Sequence, residues 1–447
     1  MALTGLDIYK LLPKTNCKEC GYPTCLAFAM KLAAKQAELA ACPYVTEEAK
    51  AKLAAAAAPP IRLVTIGRGE RKVEVGNETV LFRHDKTFFH PPGLMVRVKD
   101  TQSIDMIEKR AREVADYSVE YVGLELRLDG LAVENASGEA SAFASAVERV
   151  KETGLPLILI SSDPRAMEAA LAKSDGTSPL IYAADEENWE AMSELAKRHQ
   201  APLAIRASGL EPLVELVEKV RGAGVEDLVL DPGCRGYNDC LVTFTHIRRL
   251  ALQKNFKPLG FPLIAFPGEG ANSPEEEAIL AGQHIAKYAG FVVMEDFDPA
   301  LAYPLLTLRQ NIYTDPREPI QVTPGIYEFG EPVPDSPLLI TTNFSITYFS
   351  VANEVEGSGI PSWLLVADSE GMSVLTGWAA GKFDADKIAK TVKTTGIEEK
   401  VSHRKLTIPG AVAVLSGELE DELPGWEILV GPREAVDLPA YLKIWKP

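Results

Sequence analysis

LPLILISSDPRAMEAALAKSDGTSPLIYAAD, residues 155–185, holds a strand, a helix and a second strand. Leu155–Ser161 is an apolar run of strand length, and Leu180–Asp185 is another. Between them lies DPRAMEAALAKS, with Asp163 in a capping position and Pro164 just inside the helix, where its missing N–H costs nothing. Strands that are apolar throughout, instead of alternating, are buried on both faces. A helix between two of them lets the pair run parallel.

The pattern continues in both directions. Further runs are LMVRVKD (94–100), YVGLELRLD (121–129), PLAIRA (202–207), DLVLDPG (227–233), FPLIAF (261–266) and FVVMEDF (291–297). Together they make eight strand candidates, starting 22 to 34 residues apart, which is the number and scale of a (β/α)8 TIM-like barrel. An open doubly wound sheet is the alternative. IRLVTIGRGERKVEVGNETVLFRHD (61–85) reads as a β-hairpin ahead of the barrel. Barrel chemistry sits at the C-terminal strand ends, here Asp100, Asp129, Ser161, Asp185, Arg206, Asp231 and Glu295. Strand-end Asp also caps the next helix. The six histidines (84, 90, 199, 246, 284 and 403) show no metal-ligand spacing. A scaffold or docking role for the barrel follows.

Two blocks flank it. Residues 1–57 are Ala-, Lys- and Cys-rich and helical in pattern, and end in AKLAAAAAPP, where Pro59 and Pro60 stop the helix. Residues 58–325 hold the barrel. Residues 326–447 begin with a Pro- and Gly-rich linker and form a smaller α/β domain. Its strand candidates are LLITTN (338–343), SWLLVAD (362–368), KLTIP (405–409), AVAVLSG (411–417) and WEILVGP (426–432).

The 447 residues are 46% hydrophobic and 24% charged, with a formal charge of −17. Such a chain can build a sizeable core. Its acidity argues against nucleic acid and against an anionic membrane surface. No apolar run reaches the roughly 20 residues that span a bilayer, and the N-terminus lacks the marks of a signal peptide. A cytoplasmic protein is predicted, in which clustered cysteines bind metal sooner than they form disulfides.

Four of the six cysteines follow Cys17-x2-Cys20-x4-Cys25-x16-Cys42, with Pro43 after the last. Four thiolates suit a [4Fe–4S] cluster or a structural zinc. Only the first pair forms a zinc-type knuckle, and the Pro after the fourth cysteine favours the cluster. Cys234 and Cys240 read as two reduced thiols in a loop. In the C-terminal block the strand ends are rich in Gly, Ser and Thr: TTNFSITY (341–348), DSEGMSVLTGWAAGKF (368–383), IPGAVAVLSGE (408–418) and VGPRE (430–434). Ligands on open α/β sheets bind beyond such ends, and small residues there suit a large planar or amide-rich ligand.

Taken in order, KTNCKECGYPTCLAFAM…ACPY, LFRHDKTFFH, RQNIYTDP (309–316), TTNFSITY, EGMSVLTGWAAGKF and IPGAVAVLSGELED…GWEILVGPREA resemble, over essentially the whole chain, the large (gamma) subunits of corrinoid/iron–sulfur proteins of the anaerobic acetyl-CoA pathway. The resemblance implies a small [4Fe–4S] domain, a barrel and a flavodoxin-like cobamide domain. It implies a methyl carrier: the cob(I)amide accepts a methyl group from methyltetrahydrofolate by way of a separate methyltransferase and donates it to acetyl-CoA synthase/CO dehydrogenase. It also implies a heterodimer with a smaller subunit. Carried over by motif, the cluster ligands are Cys17, Cys20, Cys25 and Cys42. The cobamide contacts are Thr341, Thr347, Gly371, Met372, Ser373, Val374, Leu375, Thr376, Ala379 and Arg433.

Many cobalamin domains supply an axial histidine from D-x-H-x-x-G. No Asp stands two residues before any histidine here. A base-off corrinoid is therefore expected. Removing the axial donor eases reduction of Co(II) to Co(I), and a low-potential cluster can supply the electron. The linkers near 58–60 and 320–337 would let the cofactor domains swing. The competing readings are a pterin-dependent barrel methyltransferase with an accessory cluster, and a ferredoxin-like carrier on a docking scaffold.

Overall fold

The computed structural model describes residues 5–33, 37, 39–46, 49, 50, 53, 59–315 and 319–447. The Ala-rich run 54–58, which holds the first expected domain boundary, and Pro316 of RQNIYTDP lie outside the described residues. The described parts of 1–118 and 127–313 form one compact unit, and those of 119–126 and 314–447 form a second. Among the described residues no helix is long and apolar enough to cross a membrane.

The first unit contains two short strands, β1 (Val64–Ile66) and β2 (Val73–Val75), antiparallel as expected. A closed barrel follows: β3 (Gly93–Lys99), β6 (Gly130–Glu134), β7 (Leu157–Ile160), β8 (Leu180–Ala184), β9 (Leu203–Arg206), β10 (Leu228–Asp231), β11 (Leu263–Ala265) and β12 (Ala289–Met294). Neighbouring barrel strands pair in parallel. Val64, Ile66, Val73 and Val75 are buried with barrel side chains such as Met95, Ile158 and Phe291. The hairpin therefore stoppers the N-terminal end of the barrel. Gly93 and Gly290 at strand starts admit it: a Cβ on Gly93 would lie 2.9 Å from Val73 Cγ1, and one on Gly290 3.2 Å from Val75 Cβ.

One barrel strand differs from expectation. Residues 121–129 do not form it; β6 does. Ser118–Tyr121 (β4) and Leu124–Arg127 (β5) make a separate two-stranded hairpin. The physical cause is local. Val122 and Gly123 both have positive φ, 46° and 80°, as a tight hairpin turn requires. Glu120 and Glu125 alternate with apolar residues, so this stretch suits a half-exposed ribbon and not a strand buried on both faces. The hairpin belongs to the second unit, where a Cβ on Gly123 would meet the Phe349 ring at 2.8 Å. Asp129 consequently stands before a barrel strand, not after it.

The second unit is a five-stranded sheet in the order β13 (Gly325–Phe329), β15 (Ser362–Ala367), β14 (Leu338–Thr342), β16 (Lys405–Ile408), β17 (Glu427–Val430). The last four pair in parallel, and β13 is an antiparallel edge. In chain order the parallel strands run 2-1-3-4, as in flavodoxin-like sheets. β13 lies inside the stretch read as a linker, and Val322 N donates to Asn343 O at 2.9 Å. The segment 319–337 is thus part of this unit. The expected strand 411–417 is instead a 3-10 helix, Gly410–Leu415, running into the helix Ser416–Glu422. Val412, Leu415 and Leu419 are buried, at the three- and four-residue spacing of helical turns instead of a strand's alternation, with a kink at Val412. The unit also contains the helices Ser345–Ser358 and Ala385–Thr395. Asp384 caps the second by accepting from Lys387 N at 2.9 Å. Asp384→Ala should lower the stability of this unit by about 1 kcal/mol, read by urea unfolding, without altering the sheet.

Candidate functional site

Three places carry the residues singled out above. At the N-terminus, Cys25 opens the helix Cys25–Ala33, and its N–H donates to Asn16 Oδ1 at 2.8 Å. Thr24 Oγ1 accepts from Ala27 N at 3.0 Å. Cys25 and Cys42 are buried in an apolar cluster with Ile8, Phe28 and Ala29, and Cys20 packs against it. Cys17 is exposed. Tyr44 OH donates to Glu19 Oε1 at 2.7 Å. That bond and the Glu19 charge push the Tyr44 hydroxyl above its usual range. Among the described residues no three Cys, His, Asp or Glu side chains are gathered around a single-ion centre. The loop does show a feature that suits an anionic cluster. Lys14, Asn16, Lys18 and Gly21 all have positive φ, and left-handed residues interleaved in a loop build the backbone N–H concavities that hold iron–sulfur groups. The thiolate donor set fits as well.

In the second unit an open cleft of about 590 Å³ lies at the C-terminal ends of β14 and β16. That is the switch point of the strand order, where such sheets bind ligands. Thr341, Thr347, Ser373, Val374, Leu375 and Arg433 line it. Gly371, Met372, Thr376 and Ala379 do not: Thr376 is exposed and its hydroxyl pairs with Ser373 Oγ at 3.0 Å. The structure adds Thr407, Ile408, Gly431 and Pro432. Their signal in the sequence is the same small-residue strand end. Thr341 is fully buried and its Oγ1 has no hydrogen-bond partner; Thr342 Oγ1 and Ser345 Oγ share that state. A buried hydroxyl without a partner costs about 1–3 kcal/mol, so Thr341 is suited to a ligand amide or phosphate oxygen in the cleft. No histidine lines the cleft. His403 sits at the opposite end of the sheet, before β16. Its Nε2 lies 2.9 Å from Ser336 O, and its Nδ1 accepts from Lys405 N at 3.0 Å. Both ring nitrogens are engaged away from the site.

At the barrel mouth most strand-end residues are engaged with neighbouring groups, while Arg206 is exposed. Arg97 pairs with Glu269 at 2.6 Å and Glu295 at 2.9 Å; Lys99 also pairs with Glu295. Arg235 contacts Asp231 at 2.9 Å and Glu269 at 2.5 Å. Tyr182 OH donates to Asp231 at 2.5 Å, and burial and that carboxylate push its hydroxyl well up. Both guanidiniums stack on Phe266. Asp100 accepts from Ser137 N and Oγ, and Asp185 from Glu187 N and Asn188 N. Ser161 Oγ accepts from Asn135 Nδ2. Asp129, at the opposite end of the barrel, pairs with Arg309. Cys234 and Cys240 are buried, and Cys240 stands in the helix Tyr237–Gln253 and not in a loop. The Cys234 thiol, and after it His284, push Cys240 down, while Cys234 is raised. The His284 contact is not visible in the sequence, because 44 residues separate it from Cys240.

The chain matches the family described as CO dehydrogenase/acetyl-CoA synthase delta subunit over residues 63–442. An Fe-S cluster family model matches residues 12–44. It is 46% identical to the corrinoid/iron–sulfur protein large subunit of Moorella thermoacetica, over 99% of both chains. It is 39% identical to the acetyl-CoA decarbonylase/synthase complex subunit gamma of Methanopyrus kandleri, over 99% of this chain and 97% of that one. Among solved structures, dihydropteroate synthase from Thermus thermophilus aligns with 57% of this chain and all of its own, at 16% identity and a TM-score of 0.37. At that score the likeness supports no statement about function.

Proposed function

The chain belongs to the CO dehydrogenase/acetyl-CoA synthase delta-subunit family and, within it, with the corrinoid/iron–sulfur large subunits, and from that premise we propose that it is a methyl carrier holding a corrinoid in the C-terminal cleft and a [4Fe–4S] cluster on Cys17, Cys20, Cys25 and Cys42. The observation that carries this is the cleft at the sheet's switch point, with the unpartnered Thr341 hydroxyl on its wall. A corrinoid held there would supply a low-valent cobalt nucleophile for methyl transfer from methyltetrahydrofolate to acetyl-CoA synthase, and a cluster on the four cysteines would supply the reducing electron. The protein's own part is binding and exposure. Thr341, Thr347 and Ser373 offer hydroxyls, and Arg433 offers a cation. Gly431 keeps the wall low, since its Cβ would come within 2.9 Å of Thr407. The partners in this reading are a small subunit, a methyltransferase and acetyl-CoA synthase, in the cytoplasm.

The barrel mouth favours the carrier over a barrel methyltransferase, because Arg97, Lys99 and Arg235 are already paired with Asp231, Glu269 and Glu295. The test is methyl transfer from methyltetrahydrofolate to the reduced, corrinoid-loaded chain, with and without the separate methyltransferase. Transfer only in its presence supports the carrier; equal transfer without it supports a barrel enzyme. Because His403 is engaged elsewhere, His403→Ala should leave the electron paramagnetic resonance spectrum of the Co(II) form unchanged. A changed nitrogen coupling would show that a protein imidazole reaches the cobalt.

A further inference from the structure

Asn343 follows β14 and is 1% exposed. Its Oδ1 accepts three hydrogen bonds, from Ser369 N at 3.0 Å, Ser369 Oγ at 2.9 Å and Gly371 N at 3.0 Å. Its Nδ2 donates to Gln321 Oε1 at 3.0 Å and to Asp368 Oδ1 at 3.3 Å. Two of the three donors to Oδ1 are backbone N–H groups, which can only donate, so the amide has one possible orientation. Both of its donor hydrogens are used, and its oxygen is fully engaged. The backbone is tied as well: Asn343 N donates to Ala367 O at 3.0 Å.

What Asn343 holds is the turn Asp368–Met372. Glu370 and Gly371 both have positive φ, 57° and 70°, a conformation that glycine adopts freely and that costs energy at Glu370. Gly371 is buried facing the 319–321 segment: a Cβ there would lie 2.7 Å from Gln321 Cγ and 2.9 Å from Pro319 Cγ. Gly371, which the motif offers as a ligand contact, stands in this turn and not on the cleft lining. Ser369 Oγ also lies 2.7 Å from Met372 O, so its single proton is shared between that carbonyl and Asn343 Oδ1. The next residues, Ser373, Val374 and Leu375, form a wall of the cleft.

We propose that Asn343 is a positioning residue for the corrinoid site: by locking the 368–372 turn it sets Ser373–Leu375 in ligand-binding position before the ligand arrives. This rests on the corrinoid reading of the cleft. Pre-organisation of this kind strengthens binding because the loop is not ordered at the ligand's expense.

The test uses the full chain freed of corrinoid, and hydroxocobalamin as the probe. Amide hydrogen exchange across 369–372 is measured without ligand, and the dissociation constant by visible absorption. In Asn343→Ala, exchange at Ser369 and Gly371 should rise at least about tenfold. The Kd should rise about tenfold, which corresponds to about 1.4 kcal/mol. Asn343→Asp keeps the acceptor for the two backbone N–H groups but turns a carboxylate oxygen toward Asp368 and Gln321, so it should restore only part of the loss in both. Ser369→Ala removes one of the three bonds to Oδ1 and should fall between; it also serves if Asn343→Ala does not fold. Kd should track loop exchange across the series while the unfolding of the rest of the unit does not. A folded variant that loses loop protection yet binds hydroxocobalamin like wild type overturns the proposal. So does a Kd that rises equally in all three whatever the loop does. Wild-type chain that binds no hydroxocobalamin overturns the corrinoid reading instead, and the ligand-free exchange pattern tells the two failures apart.

Discussion

Cys42→Ser should strip the cluster: iron falls from about four per chain to near none, and the broad visible absorption of the cluster goes with it. Cys42 is buried against Ile8, Phe28 and Ala29, and its N–H donates to Leu39 O at 3.1 Å. Its sulfur has a fixed place that a loop movement cannot easily refill. A serine hydroxyl stays protonated at neutral pH, whereas ligation needs an anion of thiolate softness. The corrinoid should remain, because the cleft lies in the other unit. Reduction of its Co(II) form by an external low-potential donor should slow sharply. Cys234→Ser is the control and should leave iron unchanged. Full iron retention in Cys42→Ser would remove this residue from the ligand set.

The second large effect is on stability. Arg97→Met should cost about 3 kcal/mol, toward the lower end for breaking a buried ion network, because the Glu134, Glu269 and Glu295 side chains are 25%, 35% and 37% exposed and water screens part of the loss. The arginine itself is 7% exposed. Burial pushes Glu269 upward, but bonds and charge from Arg97 and Arg235 outweigh it and hold its carboxyl below the usual range. A depressed carboxyl contributes stability above its unfolded pKa and loses it as pH falls through the folded value. The gap between wild type and Arg97→Met should therefore be widest near pH 7 and shrink on acidification below the ordinary carboxylate range. Urea unfolding at both ends of that range reads it. A gap that does not change with pH would assign the loss to packing on Phe266, not to charge.

Legibility in the sequence follows burial. Strands covered on both faces, such as Leu157–Ile160 and Leu180–Ala184, announce themselves as unbroken apolar runs, and the barrel follows from counting them. The 118–127 hairpin is misread because its apolar residues, taken without their alternating Glu partners, look like another such run. The stretch 411–417 misleads in the opposite way: Ala-Val-Ala-Val alternates like a strand, but burial of Val412, Leu415 and Leu419 selects a helix. The edge strand β13 hides among Pro and Gly. At the cleft, Thr341, Thr347, Ser373 and Arg433 are legible because strand ends are where ligands bind. Gly371 is assigned to the ligand by its motif, since a glycine in a motif does not say which neighbour excludes its Cβ. Asn343 and His284 act through partners far along the chain, and local pattern carries no trace of those.

Anaerobic purification of the full chain, with iron, cobalt and visible absorption measured on one sample, decides between the readings. About four iron and one cobalt per chain, with base-off corrinoid bands, are expected. Iron without cobalt, from cells supplied with corrinoid, would contradict the methyl carrier and leave an electron carrier on a scaffold. Zinc in place of iron would contradict the assignment of the four cysteines.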